Sequence, residues 1–582
     1  MSKKLIVAVA VLAAALIAGF AAAALISPRD VVAAGGPDPA QDVAAATQRL
    51  GAGDFAGAAG ILENVVAADP RNPIALRYLG FAYLKLKRYP DARAAYGRLL
   101  ALQPDVPVAL YNTGVAHALE GNRDAAFQWL GRAKATKKID MTQIQADDDL
   151  KPLAGDPRFA ALLPKAEDFA RPFLESENVR VLREWDGEAM GDQFGWIARS
   201  LGDVDGDGVQ DFVTSAPGSA GGGKDAGRVY VYSTKTGKRL WKADGAAGDE
   251  LGTGVELAGD VNKDGVPDVV AGAPGGGHAY VYSGKDGRVL LTLNAESKDD
   301  TFGRHVSSAG DVDGDGYDDV IVGAPTNAAG GKDAGRAYVF SGKDGRRLAT
   351  WTGEREGDQF GSTVAGYKRD GRMFLLVGAP MAGPRHTGRV YVYDGLDAKP
   401  RFVLESDATG ARFGYMFMSV PGDLDGDGVP DIYATDFTNS AKGPSTGRAY
   451  VFSGKTGANL LTLTGEGAGE GFGIGPAVTG DVDGDGRPDL IVGAWQYGGA
   501  AVSGGRAYLY SGRDGRLLKT YTCRIPGDTF GFDAVGMGDT DGDGTVDFLI
   551  TSAWSGIKGN HSGRVFLISS GVRKGTRKTA SK

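Results

Sequence analysis

The sequence predicts a multidomain chain: an apolar N-terminal helix, then an all-α solenoid, then an all-β ring of seven four-stranded blades. Three observations predict it. Residues 5–26 form a run of 22 apolar residues, a 34-residue period runs over roughly 39–140, and a seven-fold repeat fills the chain from 178 onward. At 582 residues the chain exceeds one ordinary domain.

The apolar run LIVAVAVLAAALIAGFAAAALI follows Lys3 and Lys4. A bilayer core needs about 20 such residues, whereas the core of a cleaved signal runs about 7–15. The length favours an uncleaved transmembrane anchor. The flanking lysines place its amino end in the cytoplasm and everything after Ser27 outside, in the cell envelope or beyond it. The small residues Ala21–Ala24 keep a cleaved signal, and hence secretion, as the alternative. Residues 1–27 are thus anchor or signal, and the Pro/Gly-containing stretch 28–40 is a linker.

Residues 41–176 read as helical. The clearest 34-residue unit, 73–106, carries Leu79, Gly80, Tyr83, Ala92, Tyr96 and Pro104. The preceding unit has Ala58, Leu62 and Pro70 in register, and the following one Gly114, Ala126 and Leu130. Small residues at these places let paired helices cross closely, and Pro stops the second helix. The pattern resembles a tetratricopeptide (TPR) array of three units, with residues 147–163 expected as its capping helix. Such an array is expected either to offer a groove for protein partners or to serve as a spacer.

From 178 the hydrophobic period changes to 2. Each unit opens on Phe-Gly or a variant: Phe194-Gly195, Leu251-Gly252, Phe302-Gly303, Phe360-Gly361, Phe413-Gly414, Phe472-Gly473 and Phe530-Gly531. An uninterrupted apolar run ending in Gly-Ala-Pro or a relative follows, as at Gly323-Ala324-Pro325, and suits a strand covered on both faces. Strands like 227–233 and 288–293 complete the unit. Such units cannot bury their own faces, so seven of them imply a closed propeller over 178–569. The seventh unit ends after its third strand, and 178–187 matches a missing fourth, so an N-terminal strand is expected to close the last blade. Residues 570–582 are expected to be a basic disordered tail.

In six units an Asp/Gly loop follows the first strand, with oxygen-bearing side chains at positions 1, 3, 5 and 9 and Gly at position 6. Alternate side chains turn inward, Gly permits the sharp bend, and a carbonyl near position 7 completes a shell for a hard cation. Five loops place four aspartates at these positions and one places three, out of 72 acidic residues in the chain. The acidity therefore reads as cation-binding capacity, and a formal charge of −8 gives no basic footprint for nucleic acid. The five histidines are scattered without a zinc-type spacing, and the single cysteine, Cys523, reads as a small buried strand residue.

Phe-Gly, the D-x-D-G-D-G-x-x-D loop and Gly-Ala-Pro in series resemble the FG-GAP repeats of integrin α-chain propellers. The resemblance implies a seven-bladed propeller with calcium loops between first and second strands on one rim, and ligand recognition on the opposite rim. Carried over by position, the first loop supplies Asp203, Asp205, Asp207 and Asp211, with Val209 through its carbonyl. The second supplies Asp260, Asn262, Asp264, Val266 and Asp268, where the neutral Asn weakens the site. The third supplies Asp311, Asp313, Asp315, Tyr317 and Asp319, and the next Asp423, Asp425, Asp427, Val429 and Asp431. The last two supply Asp481, Asp483, Asp485, Arg487 and Asp489, then Asp539, Asp541, Asp543, Thr545 and Asp547. The fourth unit reads YKRDGRMFLLV with Asp370 as its only acid, and is expected to bind no metal.

These features describe a calcium-stabilised, envelope-anchored binding or scaffold protein with an adhesion or assembly role. Its expected partners are proteins at the array groove or the propeller rim, and the membrane through the N-terminal helix. The alternative is a lectin-like propeller that stacks glycans on Trp495, Tyr497 and Trp554. No G-x-S-x-G and no metal-hydrolase histidine pattern occurs, so no enzyme is expected.

Overall fold

The computed structural model describes residues 39–407, 411–475 and 478–574. The apolar segment 5–26, the spacer before residue 39 and the tail from 575 lie outside them. Among the described residues no helix is long and apolar enough to cross a membrane. The described residues up to Ala170 and those from Arg171 onward form two compact units.

The first unit contains three helix pairs: α1 (Pro39–Gly51) with α2 (Phe55–Ala68), α3 (Pro73–Lys85) with α4 (Tyr89–Leu102), and α5 (Pro107–Leu119) with α6 (Arg123–Ala135). Side-chain caps start three of the helices. Asp54, Asn72 and Asn122 accept the backbone N–H of Gly57, Ala75 and Ala125. The repeat's small residues sit where a larger one would collide: a Cβ on Gly80 would lie 2.7 Å from the Tyr96 ring, and one on Gly114 2.8 Å from Leu130. Residues 147–163 are not the single capping helix expected. A 3-10 turn at Asp148–Leu153 gives way to the short helix α7 (Pro157–Leu162). Pro152 and Pro157 cannot donate to a continuous helical ladder. The stretch still covers the array, with Leu150 and Leu153 fully buried and the Tyr111 hydroxyl donating to Asp147 at 2.7 Å.

The compact units divide between Ala170 and Arg171, and the residues that follow are tied to the β unit. Leu174 N–H donates to the Thr522 carbonyl, and Glu177 accepts from Thr520 and Thr522.

The second unit is a seven-bladed β-propeller of seven four-stranded antiparallel sheets. In the first blade the strands are Ala198–Gly202, Asp211–Ala216, Arg228–Tyr232 and Arg239–Asp244. The second strands, read from sequence as covered on both faces, are buried at every residue in blades 1, 2, 3, 5, 6 and 7. The fourth strands lie outermost and are only partly buried, as in Val289–Asn294, where Leu293 is buried and Val289 exposed. The seventh sheet comprises Ala534–Gly538, Asp547–Ser552, Arg564–Ser569 and Val181–Asp186, the last paired antiparallel along Arg564–Ser569.

Phe-Gly marks where consecutive blades lock. Each Phe ring packs edge-on against the aromatic residue of its own third strand, as Phe194 on Tyr230 at 5.3 Å and Phe360 on Tyr391 at 5.4 Å. Its backbone meanwhile pairs with the preceding blade, as Phe360 with Gly335. The following glycine must be glycine: Gly361 has φ +88°, and a side chain there would strike the Arg336 carbonyl. An arginine opening most third strands adds an ionic tie to the connection that enters the blade. Arg336 reaches Glu296 at 2.6 Å, Arg506 reaches Glu466 at 2.8 Å, and Arg228 and Arg448 pair with Glu188 and Asp407.

Candidate metal centres

Five of the six aspartate loops begin at a backbone irregularity. The register between first and second strands slips at Ser200/Gly202, Leu257/Gly259, Ser308/Gly310, Ser419/Gly422 and Gly536/Gly538, just before position 1 of the loop. Those glycines have positive φ, from 59° at Gly310 to 118° at Gly422, and turn the chain out of the ladder. The fourth blade differs as its sequence predicts. Thr363–Arg369 and Arg372–Ala379 pair without a slip, joined by a two-residue turn at Asp370-Gly371. Both turn residues have positive φ, 49° and 79°. There is no loop to hold a cation.

Within a loop the backbone wraps position 1. Asp203 accepts the N–H groups of Gly206, Asp207 and Gly208 at 2.8–3.0 Å, and Asp423 accepts those of Gly426 and Gly428. These donors hold the Asp203 carboxyl below its ordinary range, the Gly208 amide contributing most. Position 5 accepts from position 7, as Asp207 from Val209 at 3.0 Å.

Position 9 has a role that its spacing did not reveal. Asp211, Asp268, Asp319, Asp431, Asp489 and Asp547 are all fully buried. One oxygen of each accepts the N–H of position 2, from Val204 through Thr540. In five blades the other oxygen accepts an N–H from the turn between the third and fourth strands: Thr234, Gly284, Gly342, Gly454 or Gly512. Burial pushes all six carboxyls up to about 6, against the pull of these N–H groups. In all six sites neighbouring carboxylates of the same loop, such as Asp205 beside Asp211, push the same way.

Carboxylate oxygens converge within 4.8 Å of one another in five loops: Asp203, Asp205 and Asp211; Asp311, Asp313 and Asp315; Asp423, Asp425 and Asp431; Asp481, Asp483 and Asp489; Asp539, Asp541 and Asp543. The second loop does not gather three carboxylates, as the neutral Asn262 at position 3 explains. Three further oxygens bear on the fit. Asn262 Oδ1, Asp311 Oδ1 and Asp547 Oδ1 are buried without a hydrogen-bond partner, an arrangement that costs energy unless something positive faces them. A set of hard oxygen donors of this kind suits a divalent cation of the calcium class.

Basic side chains around the loops were not foreseen from the sequence. Arg180, just ahead of the N-terminal strand, spans Asp541 and Asp543 at 2.7 and 2.6 Å. Arg346 reaches Asp313 at 3.3 Å, Arg516 reaches Asp483 at 3.4 Å, and Arg487 reaches Asp423 of the preceding blade at 3.6 Å. The spacing of Arg346 and Arg516, 33 residues beyond their aspartates in the turn after the third strand, is the signal that would have found them. The rim aromatics are packed rather than open. Trp495 and Trp554 are buried and meet edge-to-face at 4.9 Å, and Tyr497 lies beneath the Arg506 guanidinium at 3.7 Å.

Comparison with known families agrees with this architecture. Residues 49–137 match the tetratricopeptide repeat family. Residues 194–232, 252–291 and 302–340 match the FG-GAP repeat, and 481–550 an FG-GAP-like repeat. Similar curated proteins include integrin alpha-5 of Xenopus laevis, 32% identical over 238 residues, which is 37% of this chain and 22% of that protein. Integrin alpha-8 of Homo sapiens is 30% identical over 258 residues, 40% of this chain and 24% of that protein. Integrin alpha-PS5 of Drosophila melanogaster is 32% identical over 174 residues, 26% of this chain and 16% of that protein. The chain thus spans a quarter or less of the length of these relatives. With its seven sheets, repeated Phe-Gly locks and helix pairs, the chain is a tetratricopeptide region followed by a seven-bladed FG-GAP repeat propeller similar to integrin α-chains.

Proposed function

We propose that this is a calcium-stabilised binding protein of the cell envelope, which presents its propeller and its helical array to protein partners outside the cytoplasm. The observation that carries the metal reading is the convergence of carboxylates in five of six loops around buried, partly orphaned oxygens. Calcium takes the ligand positions of all six loops, the second more weakly because Asn262 adds no charge, and none in the fourth blade. Calcium supplies charge neutralisation to the hairpins and no chemistry on a substrate. The sheet that Val181–Asp186 shares with the seventh blade reads as the closure of the ring, which leaves no unpaired edge.

The binding role rests on the likeness to integrin α-chains in the propeller and on the repeat array before it. The burial of Trp495 and Trp554 weighs against a glycan platform on that rim. The envelope location rests on the length of the apolar run at 5–26 and the lysines before it.

The test is crosslinking of the full chain in intact cells, in calcium and in excess chelator, beside a variant lacking 41–170. Defined extracytoplasmic partners should be recovered in calcium, and those on the propeller lost in chelator. Labelling confined to cytoplasmic proteins, or turnover of a broad substrate panel, refutes the reading.

A further inference from the structure

The segments that lead into the first strands of six blades enclose a cavity of about 50 Å³, lined in part by Trp196, Arg199, Arg304, His305, Tyr415 and Phe532. Trp196, Arg304, Tyr415 and Phe532 each directly follow a Phe-Gly, so the cavity sits where first strands begin. The aspartate loops leave from the other end of the same strands, and the cavity is therefore on the face away from them.

The lining carries two guanidiniums and one imidazole and no acid. Arg199 is committed: it is buried and paired with Asp533 at 2.5 Å and Glu256 at 2.7 Å, neither of which lines the cavity. Arg304 is not. It donates to the Tyr415 hydroxyl at 3.1 Å and stands 5.7 Å from that ring, with the Arg412 guanidinium 5.4 Å from the ring. Among the described residues no carboxylate comes within 4.0 Å of the basic groups of Arg304 or Arg412. Tyr415 registers the resulting field: Arg304 foremost, then Arg412, draws its phenol below the ordinary range despite burial. His305 accepts the Val364 N–H at 3.4 Å, and burial with Arg199 beside it holds its pKa down to about 3, so it adds no charge of its own.

A half-enclosed site with a guanidinium in no close ion pair, a phenol donor and apolar walls from Trp196, Phe417 and Phe532 suits a negatively charged group, with Glu250 as the acid that feels Arg304 from further off. The volume is small and leaves room for a carboxylate. We infer that the axial mouth of the propeller is a recognition site for a carboxylate side chain, an Asp or Glu presented by an acidic segment of a protein partner. This rests on the binding reading and names the chemistry of one contact within it.

The test pans a random heptapeptide library on the full-length protein in calcium, beside Arg304→Gln, Arg304→Glu and Arg412→Gln. Melting of each variant is checked first. Wild type should enrich Asp and Glu at one position, and Arg304→Gln should lower the affinity of the selected peptides at least tenfold. Arg304→Glu should shift the selection toward Lys and Arg. If Arg304→Gln does not fold, loss of affinity in Arg412→Gln supports the site in its place. Peptides selected without acidic enrichment, or an acidic selection indifferent to Arg304 and Arg412, overturn the axial site while leaving a binding role elsewhere. If no peptide is enriched and sulfated or uronic oligosaccharides bind instead, both the acidic-peptide assignment and the protein-partner reading fall.

Discussion

The Oδ1 of Asp211 accepts the backbone N–H of Thr234 at 3.1 Å, and this bond joins the aspartate loop to the turn between the third and fourth strands. The same relationship recurs between Asp319 and Gly342 at 2.9 Å and between Asp489 and Gly512 at 3.1 Å. Position 9 therefore braces the blade internally, apart from any part in holding a cation.

That division of labour separates two classes of loop variant. Asp319→Ala strips the partners from the buried N–H of Gly342 and the half-buried N–H of Val312. At about 1–3 kcal/mol for each unsatisfied group, the variant should lose roughly 2–5 kcal/mol. The loss should persist in excess chelator. Asp313→Asn, on the exposed side of the same loop, should lower stability in calcium and lose nothing further in chelator. Denaturant unfolding with and without chelator tests both; equal behaviour of the two variants would count against the brace.

Calcium should stabilise the β unit specifically. Each site filled at a hundred times its dissociation constant contributes about 2.7 kcal/mol, and six sites act on one cooperative ring. Calorimetry should show the propeller transition rising with calcium and falling with chelator, while the helical transition stays in place. A propeller transition indifferent to both disproves the metal assignment. Asn262→Asp should deepen the response, because it supplies the second loop with the charge its sequence lacks.

The repeat count, the blade order and the missing aspartate loop of the fourth unit were legible because Phe-Gly and the aspartate loop recur in phase. What escaped was pairing across long separations. Nothing local in the sequence ties Asp268 to Gly284 or Arg180 to Asp543, since those contacts follow from strand register. The capping segment misled for a local reason: its apolar spacing is helical, but Pro152 and Pro157 break the ladder. A further aspartate pattern is plain only in the structure. Two residues before Phe-Gly, Asp192, Asp249, Asp300 and Asp358 each accept an N–H three residues back, from Ala189, Ala246, Ser297 and Arg355. The fifth blade has Ala411 at this place, and Asp436 from the end of the second strand accepts the Ala411 N–H instead.

In the sixth blade that place is taken by Glu470, which is buried and accepts the Glu466 N–H at 2.8 Å. Burial foremost, with Glu466 nearby, pushes its pKa up to about 7 from an ordinary 4.5. The folded state therefore holds a proton that the unfolded chain releases. The associated penalty is absent below pH 4.5, grows as pH rises through the interval, and is complete above 7. Glu470→Gln keeps an acceptor for the Glu466 amide without the charge. It should match wild type near pH 4.5 and exceed it by about 1–3 kcal/mol at pH 8. Melting across that range decides it: a difference independent of pH would show that Glu470 titrates normally.

The N-terminal strand carries the final prediction. Trp185 donates its indole N–H to the Gly237 carbonyl at 3.0 Å and packs edge-on against Phe212 at 4.7 Å, so this strand of the seventh sheet also grips the first blade. Trp185→Ala should cost about 3–5 kcal/mol, as a buried aromatic truncation does. Deleting 178–186 does more than remove packing, since Arg564–Ser569 then becomes an open edge with its ladder unpaired. That variant should self-associate, and an added peptide of sequence NVRVLREWD should restore a monomer by pairing with the freed edge. A deletion variant that stays monomeric with wild-type melting would show that the ring closes without this strand.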